Sequence, residues 1–135
     1  MSRGSKNKKL FLWLILAATI ILIIISQTAF AVGERDLEQA MQSYSAGQYK
    51  EAVPQFEKAA TLGNNKAQTM LGVLYFQGKG CEKDYVKAAE WFDRAANGGN
   101  IEAQTFMGII NLEGLGTPKN EKTAYYWFEK AARGG

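Results

Sequence analysis

The chain has 135 residues, enough for one small domain, and carries 16 Lys and Arg against 13 Asp and Glu. It contains no His and a single Cys, Cys81. The commonest general base and metal ligand are therefore missing, and no disulfide can form within one chain. The formal charge of +3 is a local effect: Arg3, Lys6, Lys8 and Lys9 precede residue 31, every acidic residue follows it, and the remainder holds twelve basic against thirteen acidic groups. A net charge near −1 lacks the dense basic face that displaces counterions from phosphates, so nucleic-acid binding is not expected.

The chain opens with those four basic residues, continues with the apolar run 10–25, and then reads SQTAFA, with Ala29 and Ala31 spaced as a small-x-small cleavage site. This is the order of a secretory signal peptide, predicted to span residues 1–31 with cleavage after Ala31. The rival reading is an uncleaved membrane anchor, which needs about 20 apolar residues and would have to extend through residues 26–32. Either reading places the rest of the chain outside the cytoplasm, periplasmic or secreted in the first case and held at the inner membrane in the second.

After residue 33 the sequence echoes itself. The stretch that starts at Ala67 repeats from Ala103 at a shift of 36, pairing Gly72 with Gly108, Gly78 with Gly114, Gly80 with Gly116, Ala88 with Ala124, Trp91 with Trp127 and Phe92 with Phe128. Ala67, Met70, Leu71, Leu74 and Tyr75 form one helical stripe, and Ala88, Trp91, Phe92, Ala95 and Ala96 form a second. The next unit repeats both stripes at Ala103, Phe106, Met107, Ile110 and Asn111 and at Ala124, Trp127, Phe128, Ala131 and Ala132. Each unit is thus a pair of helices, A and B. Gly in the middle of helix A costs about 1 kcal/mol relative to Ala, so its recurrence predicts a close approach there. Trp91 and Trp127 are expected to fill the space between hairpins.

Upstream, Ala52, Phe56, Ala59 and Ala60 stand in register with the later helix B, but Gln39 and Ala40 match Leu71 and Gly72 only at a shift of 32. The first unit therefore has a tighter turn, four residues shorter, between its helices. Pro54 falls inside its helix B, where it removes a hydrogen bond and is expected to bend the helix. The domain reading is 33–66, 67–102 and 103–135, three hairpins of an all-α solenoid.

The run from Leu71 to Gln104 resembles the Sel-1-like repeat, and the first unit, with Gly47, Tyr49, Ala52, Phe56 and Ala59, is similar to the shorter tetratricopeptide repeat. The resemblance implies a right-handed α-solenoid of antiparallel helix pairs that acts as a protein–protein adaptor or scaffold, in bacteria often exported. Some exported relatives are cysteine-rich and have been linked to β-lactam binding or hydrolysis, but this sequence lacks their paired cysteines. Nothing specific to that subgroup carries over; a cell-envelope hydrolase acting on β-lactam or cell-wall amides is kept as the alternative, and a self-assembling structural array is a third. No catalytic, cofactor or metal residue is expected. The acidic residues Glu82, Asp84, Glu90 and Asp93 are spaced as a solvated helix face, and Cys81 reads as a small packing residue in a loop.

In tetratricopeptide relatives helix A lines the inner surface. Carried onto this chain, those positions are Leu37, Met41 and Tyr44, then Lys66, Thr69, Val73, Phe76 and Gln77, then Glu102, Thr105, Ile109, Leu112 and Glu113. The partner-binding residues expected are Tyr44, Thr69, Val73, Phe76, Thr105, Ile109 and Leu112. Tyr44, Phe76 and Leu112 would form an apolar strip for an extended peptide or a partner helix, with the two threonines beside it. The competing reading makes the strip the core between repeats. The sequence stops at Gly135 without a polar terminal helix, which predicts apolar surface near Trp127; either the chain is part of a longer protein, or another molecule, a second copy included, covers that end.

Overall fold

The computed structural model describes residues 2–135, and among them the chain is helical throughout, without a strand. Six helices follow in order: α1 (Ser2–Ser45), α2 (Tyr49–Thr61), α3 (Asn65–Gln77), α4 (Tyr85–Asn97), α5 (Ile101–Glu113) and α6 (Glu121–Gly134). The chain divides into two compact units, Met1–Val32 and Gly33–Gly135. In the first, the apolar side chains from Leu10 to Ile25 are exposed along α1. By length and composition this helix is apolar enough to cross a membrane.

The second unit is a solenoid of three helical hairpins. The part of α1 from Gly33 onward packs on α2 through Leu37, Ala40 and Tyr44 against Ala52 and Phe56, and α3 pairs with α4 and α5 with α6. Residues 46–48 join the first pair, whereas residues 78–84 and 114–120 join the other two, so the four-residue difference lies between the helices as the register shift requires. Pro54 is exposed inside α2, which is helical on both sides of it. It cannot donate to the carbonyl of Lys50.

Local chemistry ends each helix where the sequence changes. Asn64, Asp84, Asn100 and Asn120 cap α3, α4, α5 and α6, each side-chain oxygen accepting from the backbone N–H three residues on at 2.9–3.0 Å. These are four donors that a helix start otherwise leaves unpaired. At the other end, Gly78 and Gly114 adopt left-handed backbone with φ of +69° and +70°, and their N–H groups close onto Leu74 and Ile110.

The core runs between hairpins as well as within them. Leu37, Ala40, Ala52, Phe56, Ala59, Ala67, Leu71 and Leu74 form one cluster, with Trp91 packed at its edge. Val73, Phe92, Ala96, Ala103, Met107, Ile110 and Trp127 form the next. Both tryptophans therefore sit on a helix B and reach a core shared with the preceding hairpin, as expected, and Trp127, 6% exposed, is not the open apolar surface that the sequence suggested near it. Arg94 lies 4.6 Å from the Trp91 ring and Lys130 lies 5.0 Å from the Trp127 ring, so the same cation–π contact recurs at the shift of 36.

Two further contacts lock one hairpin onto the next. The side-chain amides of Gln68 and Gln104 donate to the carbonyls of Ala60 and Ala96 at 3.1 and 3.2 Å. Gly80 and Gly116 sit so close to the Tyr49 and Tyr85 carbonyls that a Cβ on either would lie 2.3 Å from the oxygen. The long loop of each later unit thus rests on the first turn of the preceding helix B.

Candidate functional site

The helix-A positions selected from sequence separate into three environments. Thr69 is 1% exposed and Val73 7% exposed, and the Thr69 hydroxyl donates back to the carbonyl of Asn65. These two residues belong to the core between helices and offer no surface to a partner, which corrects that part of the expectation. Their burial follows from position: α3 is flanked by a hairpin on each side, so its apolar residues are covered on two faces instead of one.

Tyr44 and Phe76 are half-buried aromatic residues. The Tyr44 ring meets Tyr49 and Phe56 edge-on, with centroids 5.2 and 6.4 Å apart. Phe76 packs edge-on against Tyr85, Phe92 and Phe106, and Phe92 and Phe106 stack at 4.4 Å with planes 7° apart. Each ring therefore has an inner side fixed by other aromatics.

Thr105, Ile109 and Leu112 on α5 are more open. Thr105 is exposed, with its hydroxyl turned back to the carbonyl of Ile101 at 3.0 Å, Ile109 is half-buried, and Leu112 is 38% exposed. Met41, Met70 and Phe106 are half-buried apolar residues on the same three helices. Met70 and Phe106 pack against the two core clusters, as their place on the core stripe in sequence implies. Lys66, Gln77, Glu102 and Glu113 are exposed at the helix ends.

Cys81 is half-buried beside a shallow pocket lined also by Tyr75, Glu82, Lys83, Asp84 and Lys87. Burial first, then the carboxylate of Glu57, pushes its thiol up from 9.0, with Lys87 opposing. A thiol held protonated is a poor nucleophile, in keeping with a packing role. Tyr75 donates to Glu57 at 3.1 Å, and burial together with that bond raises its hydroxyl to about 12. Among the described residues, no three or more of Cys, Asp and Glu are grouped so as to hold a metal ion.

The repeat read from packing has a counterpart in known proteins. The Sel1 repeat profile matches residues 65–100 and 101–135, more than half of the chain. The chain belongs to the Sel1 repeat family. Sel1 repeat proteins are generally non-catalytic scaffolds for protein–protein interaction. Among solved structures, a Sel1 repeat protein from Oxalobacter formigenes is 40% identical over 64% of this chain and 35% of its own, with a TM-score of 0.62. A protective antigen of uropathogenic Escherichia coli with an SLR fold is 31% identical over 82% of this chain and 23% of its own, with a TM-score of 0.67. Cysteine-rich protein B of Helicobacter pylori is 28% identical over 81% of this chain and 84% of its own, with a TM-score of 0.68. The chain thus spans about a third and about a quarter of the length of the first two. No curated protein sequence matches it.

Proposed function

We propose that this Sel1 repeat chain is an exported protein–protein interaction scaffold that binds an extended peptide or a partner helix along the inner face of its helices A. The observation that carries this reading is a row of half-buried or exposed apolar side chains on three successive helices A: Tyr44 and Met41, then Phe76, then Ile109 and Leu112. Their inner sides are held by the core, so they lose little side-chain entropy on binding. Thr105, Gln77 and the terminal charges Lys66, Glu102 and Glu113 give the row a polar rim. The hairpins 33–66, 67–102 and 103–135 act as one surface.

Export rests on residues 1–31, with four basic residues, an apolar helix and the Ala-x-Ala site before Val32. A membrane-held form is the second reading, favoured by a helix that by length and composition is apolar enough to cross a membrane.

The test is affinity capture from intact cells followed by mass spectrometry, comparing the natural chain with Gln77→Arg and Thr105→Arg together. Both residues are exposed, so folding is expected to survive. The captured protein should be lost from the double variant, and its retention would remove the inner face as the site. The N-terminal peptide in the same sample should begin at Val32, and peptides that continue back through residue 31 would establish the anchored form.

A further inference from the structure

Charge is sorted by layer in the solenoid. From Gly33 onward, helices A carry Glu34, Asp36, Glu38, Glu102 and Glu113 against Arg35 and Lys66, a net of −3, whereas the turns and helices B carry eight acidic against ten basic residues, a net of +2. Most cations of that second layer are already engaged. Lys79, Lys83, Lys87, Arg94 and Lys130 lie over aromatic rings at 4.6–5.8 Å, and Lys119 and Arg133 pair with Glu121 and Glu129.

The carboxylates of helices A are not engaged in this way. Glu34, Glu38, Glu102 and Glu113 are exposed, and among the described residues none of them lies in an ion pair. Glu34 accepts from the neutral amide of Asn64 at 2.9 Å, which leaves its charge uncompensated. The four share one helix face. At 3.6 residues per turn Glu102 and Glu113 stand three turns apart, Lys66 and Gln77 hold the same two places on α3, and Glu34, equivalent to Lys66 at the shift of 32, stands one turn before Glu38. Lys66 and Gln77 are exposed although α3 has a hairpin on each side, so this face is open by geometry and not by lying at an end of the array.

Helix stability accounts for little of this charge. A carboxylate in the first turn suits the helix dipole, which explains Glu102, but one in the last turn opposes it, and Glu113 is the last residue of α5. Glu34 and Glu38 lie well inside α1, where the dipole has no hold on them.

We infer that the segment taken up by the exposed face of helices A is cationic, a stretch of a partner protein in which Lys or Arg residues flank apolar ones. Long basic side chains reach the carboxylates at the two rims, Glu34 and Glu102 on one side and Glu113 on the other, while the apolar residues between them meet Met41 and Phe76. Lys66 opposes this and sets a limit on it. The inference rests on the inner-face reading above and adds to it the charge of the occupant.

The probes are three fluorescein-labelled synthetic peptides with the same leucines, carrying Lys, Gln or Glu at their polar positions. Each is titrated by anisotropy into the full chain in nonionic detergent micelles at low salt, with empty micelles as the blank. The Lys peptide should bind saturably, about tenfold or more tighter than the Gln peptide, with the Glu peptide weakest, and the preference should fade at high salt. Glu102→Gln with Glu113→Gln should weaken the Lys peptide about fivefold, and Lys66→Glu should tighten it. Glu90→Gln with Asp93→Asn, exposed on helix B, should leave it unchanged. Equal affinity for the three peptides, lost alike in Gln77→Arg with Thr105→Arg, would overturn the inference and leave the inner face as the site. Weakening by the helix-B pair as large as that by the helix-A pair would overturn both readings, and a Lys peptide that does not saturate would overturn the charge assignment.

Discussion

Gly72 lies beneath the ring of Phe92, so close that a Cβ on the glycine would come 2.7 Å from two ring carbons. Gly108 stands in the same relation to Phe128, at 2.4 Å. The two differ in what holds the ring: Phe92 is wholly buried and stacked on Phe106, whereas Phe128 is half-buried. Replacing a mid-helix Gly by Ala gains about 1 kcal/mol of helix propensity. Forcing an extra carbon into a packed core costs about 1–3 kcal/mol. Gly72→Ala should therefore destabilise the protein by about 1 kcal/mol, because Phe92 has nowhere to go. Gly108→Ala should be close to neutral, because the Phe128 ring can swing toward solvent. Urea unfolding of the two variants side by side checks the ordering.

Gly80 combines a φ of +74° with a Tyr49 carbonyl that would lie 2.3 Å from an added Cβ. Gly99 has a φ of +91° but nothing within 4 Å. Ala at either position incurs left-handed strain of about 1–2 kcal/mol. Only at Gly80 does it also collide with backbone that cannot rotate aside. Gly80→Ala should thus cost more than Gly99→Ala, and should raise amide hydrogen exchange in α2, where the loop rests, ahead of α5 and α6. Equal loss of stability in the two variants would show that the loop contact adds nothing.

Most of the solenoid was legible in the sequence, because small, aromatic and helix-ending residues recur at fixed spacing and each spacing has one physical use. The shorter first turn followed from comparing shifts of 36 and 32. The caps Asn64 and Asn100 were just as visible as an identical pair 36 apart, each three residues before an alanine at the helix start, but a search for recurring small and aromatic residues passes over them. The inner face was less legible. Thr69 and Val73 share a helix face with Phe76 in projection, yet a hairpin on either side of α3 covers them. Single-helix periodicity carries no information about a second neighbour. For the same reason the cluster of Phe76, Tyr85, Phe92 and Phe106 appears only once α5 is stacked on α3 and α4.

Asn64 caps α3 through its oxygen and donates from its amide nitrogen to Glu34 at 2.9 Å, while Asn100 caps α5 alone. Asn100→Ala should cost about 1 kcal/mol, the usual value of a lost cap. Asn64→Asp keeps the cap but places a second carboxylate against that of Glu34. It should therefore be less stable than Asn100→Asp at neutral pH, and the gap should narrow as the solution is made acidic or salty. Thermal unfolding of the two aspartate variants at low and high salt measures it.

Raising the pH should weaken the protein through Tyr75. Its hydroxyl is raised from 10.0 to about 12, first by burial and then by the bond to Glu57, so the folded chain keeps a proton that the unfolded chain gives up. The stabilisation is complete below pH 10.0 and is lost as the pH rises from there through about 12. Cys81 acts in the same sense above 9.0, again because burial disfavours its charged form. Tyr75→Phe should lose about 1 kcal/mol at neutral pH with the hydrogen bond. In return it should show a shallower decline through the alkaline window, so the two stability curves converge. Curves that stay parallel up to that pH would mean that Tyr75 is solvated in the folded chain and that the contact with Glu57 does not hold its proton.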